Sequence, residues 1–388
     1  MNSAVIIDVV RTPLGRRNGQ FKESHPVDMA AHVIAALMAR NDIDPELIED
    51  VIMGCVSQVG EQGLNIARYA ALAAGLPETT PGTTVDRQCG SSQQAAHFGA
   101  QGVIAGAYDV VIAAGVENMS RVPMGASLAS GAHGFPFSEE LTRRYPNLVP
   151  QGISAELIAE KWGISRDDND AFSVQSHHRA ARAREEGRFD REIVPLTAIT
   201  PEGPKLVSMD EGIRPDSSMA SLAKLKPAFK EDGGVITAGN SSQITDGAAA
   251  MLIMNEAVAN RLGLKPRARF HTFALAGADP VLMLTAPIPA TERALAKSGL
   301  SIDDMDCIEI NEAFAPVVLA WEKEHRPDMN KVNPNGGAIA LGHPLGASGA
   351  RLMATLLCEL ERTGGRYGLQ TMCEGGGMAN ATIIERLN

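Results

Sequence analysis

The same order of structural segments occurs twice in this sequence, once towards each end of the chain. Residues 49–55 and 304–310 both have the pattern of a buried strand after an Asp-rich connection, and each is followed by a polar loop and an Ala-rich helix. A Gly-rich turn and a further Ala-rich helix come next in both places, before a closing strand at 110–117 and at 367–377. Alternating strands and helices predict an α/β fold, and the repeat predicts two similar halves.

The interval between the two repeats has a different character. The pattern breaks down over 121–150 and again over 200–234, where Gly, Ser, Pro and scattered apolar residues replace any helical or strand period. Two helices are predicted between these stretches, over about 155–162 and 166–186. The second of them has Ser165 as its N-cap with Asp168 three residues later.

These patterns predict how the chain is divided into domains. We expect a first α/β half and a second one, with a loop-rich domain inserted into the first. The expected bounds are 1–120 for the first half with 246–266 returning to it, 121–245 for the inserted domain, and 267–388 for the second half. Within the first half, strands are predicted over 5–10, 50–55 and 109–114, and helices over 28–40, 65–74 and 92–105.

Composition narrows the class of protein. The chain of 388 residues is 44% apolar and 21% charged, as in soluble globular proteins. Its net charge of −11 disfavours a general nucleic-acid or anionic membrane surface, so an anionic ligand requires a local basic patch. No apolar run approaches the roughly 18 residues of a membrane span, and no leader precedes the first strand, so we expect a cytoplasmic protein without membrane insertion.

The cysteines fall into two kinds. Cys89 and Cys373 lie in Gly/Ser-rich turns, where small residues let a substrate approach, whereas the remaining three lie in apolar runs and are assigned to packing: Cys55, Cys307 and Cys358. An odd number of scattered cysteines indicates free thiols in a reducing compartment. No C-x-x-C pair or His/Cys cluster indicates a metal site.

The two turn cysteines and one histidine suggest a division of chemistry. Cys89 precedes a helix, whose N-terminus is expected to lower the pKa of the thiol and to stabilise an oxyanion. His343, in a Gly-His-Pro-Leu-Gly turn, is the expected acceptor of the Cys89 proton. A second thiol at Cys373 is suited to proton transfer to carbon or to a substrate thiol.

Two further polar residues are expected to have structural roles and not catalytic ones. His97 has helical spacing from Gln93 and Gln101 and is expected at the surface or at an interface. Glu117 is expected to be a structural hydrogen-bond acceptor.

The chain resembles the thiolases, the acyl-CoA C-acyltransferases, in several separate blocks that occur in the family's order. These blocks are Asn-Glu-Ala-Phe-Ala from Asn311, Asn-Gly-Gly-Ala-Ile-Ala-Leu-Gly-His-Pro from Asn335, the turn around Cys373, and Gly-Val-Glu-Asn-Met-Ser from Gly115. The resemblance implies a thiolase fold, in which two similar α/β halves form a five-layered α-β-α-β-α core and a loop domain is inserted in the first half.

The resemblance also implies catalytic roles. Cys89 is implied to take up the acyl group, with His343 activating it and holding the thioester oxygen of the enolate. Asn311 is implied to position a water in the same oxyanion pocket. Cys373 is implied to protonate the departing acetyl-CoA carbanion and then to deprotonate CoA. The N–H groups of Cys89 and Gly375 are implied to form a second oxyanion hole.

Coenzyme A is implied as a co-substrate, with no permanently bound cofactor and no metal. Its contacts are implied to come mainly from the inserted domain, with a local positive charge that Arg214 and three lysines would supply: Lys224, Lys226 and Lys230. The implied contact residues are Arg214, Ser221, Phe229, Ala238, Ser242 and Phe314. Residues 62–68 resemble a stretch that meets the partner subunit in the family, so a homodimer or homotetramer is expected, with a β-oxidation multienzyme partner as an open possibility.

Two departures from the family pattern bear on the substrate. Pro150 and Gln151 stand where members acting on acetoacetyl-CoA commonly carry His-Met, which favours a degradative enzyme for longer or bulkier acyl groups, including sterol side chains. Glu374 stands where many members have an apolar residue, and is expected to point away from Cys373. The alternatives are a biosynthetic acetoacetyl-CoA thiolase and a non-catalytic acyl-CoA or lipid-binding protein; the second thiol disfavours a decarboxylating condensing enzyme.

Overall fold

The structure, a computed structural model, describes residues 2–131, 134–200 and 203–387. The strands are β1 Ala4–Arg11, β2 Gly15–Arg16, β3 Asp50–Gly54, β4 Gly82–Val85, β5 Val110–Asn118, β6 Leu196–Thr200, β7 Gly203–Val207, β8 Thr245–Asn255, β9 Ala268–Gly277, β10 Cys307–Ile310, β11 Tyr367–Glu374 and β12 Met378–Arg386. The α-helices are α1 Pro26–Asn41, α2 Ile66–Ala73, α3 Ser91–Ala105, α4 Glu139–Arg144, α5 Gln151–Trp162, α6 Arg166–Glu185, α7 Met219–Leu222, α8 Glu256–Arg261, α9 Pro287–Ser298, α10 Ala315–His325, α11 Ala338–Leu341 and α12 Ser348–Thr363.

The strand order confirms the predicted repeat. The first half has the order β4-β3-β5-β8-β1, and the second has β10-β11-β12-β9. Pairing is parallel between β3 and β5 and between β10 and β11, and antiparallel for the next two pairs in each half. An isolated parallel bridge from Ile308 to Val332 stands where β4 stands in the first half.

The two halves share an edge. Strands β1 and β9 pair antiparallel through Val5 with Arg269 and Ile6 with Ala268, so the two sheets form one continuous hydrogen-bonded path. This short contact joins the sheets where each has its outermost antiparallel strand.

Three apolar clusters show that the sheets and helices are layered. One face of the first sheet packs against α1 and α2, and its other face packs against α3 and α12. The outer face of the second sheet packs against α9 and α10. Successive strand residues divide between the clusters, as Ile112 and Val111 do, because side chains alternate across a strand. The order of layers is therefore helix, sheet, helix, sheet, helix, as predicted.

The halves differ most in one connection. Residues 119–244 join β5 to β8, whereas residues 375–377 alone join β11 to β12. The longer connection contains helices α4 to α7 and a separate hairpin of β6 and β7. The predicted capping box of α6 is present, with Ser165 and Asp168 bonded to each other's backbone. The hairpin and α7 were not indicated by the sequence pattern.

Two further features, membrane-spanning helices and metal-binding clusters, are absent from the residues that the structure describes. Among the described residues, no helix is long and apolar enough to cross a membrane. In the same part of the chain, no group of three or more His, Cys, Asp or Glu side chains is arranged to hold a metal ion.

Candidate active site

Cys89 lies in a tightly constrained turn between β4 and α3, two residues before the helix begins. Gln88 has a positive φ of 47°, and its N–H donates to Asp86 Oδ1 at 2.7 Å. The Ser91 hydroxyl donates to the Gln88 carbonyl at 2.6 Å and accepts from the Arg87 N–H at 3.0 Å. A non-glycine residue with positive φ stores strain, so these side-chain bonds fix the position of Cys89.

The Cys89 thiol is protonated at rest. Burial, with a smaller effect of the Glu374 carboxylate, raises its pKa to about 12, although the backbone N–H groups of Cys89 and Gly375 oppose this rise. The predicted lowering of this pKa by the helix N-terminus is therefore wrong for the free protein, because desolvation outweighs it. A base must take the thiol proton for Cys89 to become a nucleophile.

His343 is held at both ring nitrogens. Its Nδ1 lies 2.6 Å from the Ser348 hydroxyl, which itself donates to the Pro344 carbonyl at 2.8 Å. Because the hydroxyl proton is used there, Ser348 Oγ accepts from Nδ1–H, and the proton is assigned to Nδ1. Nε2 is then an acceptor, and it lies 3.4 Å from the amide nitrogen of Asn311. Burial, with a smaller effect of Arg351, lowers the pKa of His343 to about 3, so the ring is neutral.

The backbone around His343 requires glycine. Gly342 has a φ of 107°, and a Cβ at this position would overlap the Thr245 side chain. The His343 N–H donates to the Gln243 carbonyl and to Thr245 Oγ1, both at 3.1 Å. The end of the inserted connection thus anchors a histidine of the second half.

Cys373 and Gly375 lie at the closing hairpin of the second half. Cys373 is the seventh residue of β11, opposite Ala379, and is fully buried with Phe314 among its apolar neighbours. Burial raises the pKa of Cys373 well above its usual range, and the nearby Cys89 thiol adds to this. Gly376 and Gly377 have φ values of 83° and 84°, which a residue with a side chain rarely adopts.

The described contacts bring the five predicted catalytic residues to one site. Cys89 interacts electrostatically with Cys373, and the Gly375 N–H reaches the Cys89 sulfur. The Asn311 N–H donates to the Thr371 carbonyl, two residues before Cys373 on β11. Asn311 contacts His343, and Leu345, two residues beyond His343, packs with Cys89. The cluster lies where the N-terminus of α3 meets the ends of β10 and β11.

Two polar residues are in positions that the sequence did not predict. His97 is fully buried, bonded to the Thr382 hydroxyl at 2.7 Å, so its predicted surface position is wrong. Glu374 is also fully buried, and raises the pKa of both thiols, so the expectation that it points away is wrong too. Glu117 is confirmed as a structural acceptor, since it receives N–H groups of Val56, Ser57, Gln62 and Gly346.

The predicted CoA residues fall into two groups. Phe229 and Phe314 form an edge-to-face pair with centroids 5.9 Å apart, and the Ser242 N–H donates to the Ala313 carbonyl at 2.9 Å, beside this pair. Arg214, Ser221 and Ala238 are exposed. The Ser221 hydroxyl is engaged in the capping box of α7, donating to the Ser218 carbonyl at 2.8 Å. The aromatic pair therefore lies next to the Cys373 cluster, and the exposed group lies on the inserted connection.

The start of α5 connects these regions. A Cβ at Gly152 would overlap the Phe229 ring, and a Cβ at Gly375 would lie 3.3 Å from the Gln151 amide nitrogen. Of the two positions that depart from the acetoacetyl-type pattern, Pro150 and Gln151, the second borders the Gly375 turn, and the residue after it contacts the aromatic pair. The sequence patterns indicated no role for Ser348, which lies two residues beyond the Gly-His-Pro-Leu-Gly turn of His343.

A separate surface cavity of about 710 Å³ lies between α6 and the C-terminal end of α12. Arg179, Arg182 and Arg362 are among its lining residues. It contains none of the predicted catalytic or CoA residues, so the chemistry described above does not involve it.

The chain matches models of two known domains along nearly its whole length. Residues 4–257 match the thiolase N-terminal domain and residues 264–386 the thiolase C-terminal domain. It is 54% identical to the steroid 3-ketoacyl-CoA thiolase FadA6 of Mycobacterium tuberculosis, over 100% of this chain and 95% of that protein. It is 47% identical to a 3-ketoacyl-CoA thiolase of Alcanivorax borkumensis, over 99% and 98%. The crystal structure of the Bacillus anthracis acetyl-CoA acetyltransferase superposes with a TM-score of 0.92 at 39% identity, over 100% and 99%.

Proposed function

This chain belongs to the thiolase family, and we propose that it is a degradative 3-oxoacyl-CoA thiolase, an acyltransferase that uses CoA to cleave 3-oxoacyl-CoA into acetyl-CoA and a shortened acyl-CoA. One observation carries the proposal. Two buried thiols lie so close together that Cys89 raises the pKa of Cys373, and they stand beside a neutral His343 that is bonded to Asn311. Hydrolysis needs one nucleophile, whereas breaking a carbon–carbon bond also needs an acid for the carbanion that leaves.

In the first half-reaction, His343 Nε2 takes the Cys89 proton, and the thiolate attacks the 3-oxo carbon of the substrate. The C2–C3 bond then breaks, and its electron pair moves to C2 as the enolate of acetyl-CoA. His343 and a water positioned by Asn311 stabilise the enolate oxygen; Asn311 Oδ1 is buried and has no protein hydrogen-bond partner, which suits it to accept from water. Cys373 gives its proton to C2, which releases acetyl-CoA and leaves an acyl-Cys89.

In the second half-reaction, the Cys373 thiolate takes the proton of the incoming CoA thiol. The CoA thiolate attacks the acyl-Cys89 carbonyl, and the resulting oxyanion is stabilised by the N–H groups of Cys89 and Gly375. Loss of one such donor costs about 3 kcal/mol in comparable sites. Cys89 leaves as the thiolate and recovers its proton from His343, so that the enzyme returns to its starting state.

CoA is a co-substrate in this scheme, and the chemistry requires neither a metal nor a permanent cofactor. We propose that Phe229, Phe314 and Ser242 contact its pantetheine arm, because this group adjoins the cluster around Cys373. The exposed Ala238 is proposed to contact CoA as well. Arg214 and Ser221 would lie near the nucleotide. The exposed lysines Lys224, Lys226 and Lys230 supply positive charge on the same connection.

The acyl group is proposed to be longer or bulkier than acetyl. Pro150 and Gln151 stand where acetoacetyl-type members commonly carry another pair, and Gln151 borders the site through Gly375. The 54% identity to a protein named a steroid thiolase makes sterol-derived chains one arm of the substrate test. We also propose the domain bounds that the sequence predicts, in which residues 121–245 form the CoA-binding domain.

A cytoplasmic homodimer or homotetramer is proposed as the working form. Large apolar side chains are exposed around α2 and α3, with Leu64 86% and Phe98 44% exposed, and such a surface is typical of an interface. Light scattering on the purified protein would give a single species of two or four chains; a monomer would refute this part.

The test of function is CoA-dependent cleavage of a series of straight-chain, branched and sterol-derived 3-oxoacyl-CoA substrates. We expect cleavage to acetyl-CoA, with acetoacetyl-CoA among the poorer substrates. Cys89→Ser should lose at least about 10⁴-fold in kcat/KM, whereas Cys358→Ala, which removes a buried thiol outside the site, should retain activity. Binding of acyl-CoA without cleavage of any substrate would support the non-catalytic alternative. Preference for acetoacetyl-CoA would support the biosynthetic one.

A further inference from the structure

The Glu374 carboxyl is a buried acid that the proposed mechanism does not use. It ends β11 beside Cys373 and is fully buried, and apart from the backbone N–H of Asn380, which favours its charged form, its oxygens have no hydrogen-bond partner. It lies directly beneath the turn that carries the nucleophile, since a Cβ at Gly90 would overlap Oε1. A buried carboxyl with so few hydrogen-bond donors is costly when charged, so its retention in this position calls for an explanation.

The charged and titratable groups around Glu374 come from three elements. Asp86 and Arg87 lie on the loop after β4, Cys89 precedes α3, and Cys373 is the preceding residue of β11. The neutral Asn380 of β12 also lies beside Glu374, and its side-chain amide donates to the Gly90 carbonyl at 3.2 Å. Arg87 is the only cation among these groups.

The counter-charge from Arg87 is incomplete. Arg87 makes no ion pair with Glu374 within 4.0 Å, and its Nε is buried without a partner. Its Nη1 instead lies 3.9 Å from the Met378 sulfur. A carboxylate at this position therefore acts on the two thiols with little neutralisation.

We propose that Glu374 is a positioning residue that sets the pH range in which the thiols of Cys89 and Cys373 ionise. When its carboxyl is protonated, the turn holds Cys89 without an opposing charge; when it is ionised, the negative charge suppresses the Cys89 thiolate. This inference deepens the proposed function and rests on it, because it concerns the same thiol pair.

The direction of the effect follows from burial. Burial raises the pKa of Glu374 to about 8, so the carboxyl is neutral below that pH and becomes charged above it. A charged Glu374 raises the pKa of both thiols. Thiolate formation in the wild type is therefore opposed in the alkaline range, where an isolated thiol would ionise freely.

The test is alkylation of the free protein by iodoacetamide between pH 6 and pH 10, read for each cysteine by peptide mass spectrometry. Glu374→Gln keeps the shape of the side chain and removes its charge, so the Cys89 profile should move to lower pH by about one unit or more. Glu374→Asp keeps the charge and should retain the alkaline wild-type profile. Superimposed profiles for wild type and Glu374→Gln would overturn the proposal.

A merely structural role gives a different result. Loosened packing would increase alkylation of Cys358 as well, at every pH and without displacing the Cys89 profile, and this would also overturn the proposal. If Glu374→Gln does not fold, Arg87→Gln removes the nearby cation. The pKa of Glu374 should then rise, and the alkaline suppression of Cys89 alkylation should begin at higher pH; an unchanged onset would overturn the proposal.

Thiolytic cleavage, measured on the same samples, distinguishes a failure of the proposed function from a failure of the proposed role of Glu374. Absence of cleavage by the wild type would refute the proposed function, while displaced alkylation profiles would still support the role of Glu374. Cleavage by the wild type with superimposed profiles would refute only the role of Glu374.

Discussion

The two halves of this molecule repeat one strand order but differ in a single connection. Between the two antiparallel strands that follow the parallel pair, the first half inserts residues 119–244, and the second half has only residues 375–377. The long connection carries the proposed CoA contacts other than Phe314 and ends in the segment that anchors His343. The short one forms a glycine turn whose N–H group reaches Cys89. One topological position thus holds most of the proposed CoA contacts in one half and the proposed oxyanion donor in the other.

The halves also differ in the chemistry that they contribute. The first half supplies one thiol, Cys89, at the start of a central helix. The second half supplies the groups proposed to move protons or hold charge, His343, Asn311 and Cys373. Neither half contains a complete site, because the pair of thiols exists only where the two halves meet.

Substitution of two histidines, one from each half, is the strongest test of this division of the chemistry between the halves. Burial lowers the pKa of both His97 and His343 to about 3. Only His343 contacts Asn311, so His343→Ala should lose about 10³–10⁴-fold in kcat/KM for thiolysis. His97→Gln, on the first half's helix, should stay within a few-fold of wild type. A loss below about tenfold for His343→Ala would contradict the proposed base.

Two glycines, one on each side of the site, allow the packing of the two halves to be compared by the stability of their alanine variants. Gly90→Ala places a Cβ against the buried Glu374 carboxyl and 3.0 Å from the Asn380 amide nitrogen, so we expect a loss of about 1–3 kcal/mol in the free energy of unfolding. Gly375→Ala meets only the ends of the Gln88 and Gln151 side chains, at 3.1 and 3.3 Å. Because those ends can move, its loss should be below about 1 kcal/mol. Urea unfolding measures both, and equal losses would refute the tighter packing at Gly90.

The substitution with the smallest expected effect removes a hydrogen bond that orients His343. Ser348→Ala removes the acceptor for Nδ1–H, and loss of one such bond should reduce kcat about tenfold with little change in KM. Ser173→Ala is a matched control, since that buried hydroxyl bonds only a carbonyl of its own helix. A change in KM alone would show that Ser348 does not act through the histidine.

Much of the fold was predictable because local patterns report local structure. The period of the apolar residues located β1, α1 and α3 to within a residue or two, and the order of the segments indicated the two halves. The hairpin β6–β7 was not predicted, because its alternation is weak and five of its residues are exposed. The predicted catalytic residues follow from their motifs, and the contacts in the structure bring those residues together.

The failures concern burial and charge, which local patterns do not report. His97 has polar neighbours in its own helix, yet it is enclosed by the second sheet through Thr382. Glu374 is next to a turn, which usually exposes a carboxylate, but the hairpin folds it under Gly90. The pKa of Cys89 rises because both halves bury it, an effect that the helix start alone does not indicate.

The central claim is that the two thiols have different tasks, acyl transfer for Cys89 and proton transfer to carbon for Cys373. The most direct measurement is the mass of the acyl-enzyme formed from two donors, a simple acyl-CoA and the matching 3-oxoacyl-CoA. A simple acyl-CoA releases a thiolate, which leaves without much assistance, whereas 3-oxoacyl-CoA releases a carbanion that needs a proton.

Cys373→Ala should therefore gain the acyl mass from acyl-CoA at a rate near that of the wild type, and from 3-oxoacyl-CoA at least about 10²-fold more slowly. Cys89→Ser should gain it from neither donor, and Cys358→Ala should behave as the wild type. Equal acylation of Cys373→Ala by both donors would contradict the account, because the second thiol would then not be needed to break the carbon–carbon bond.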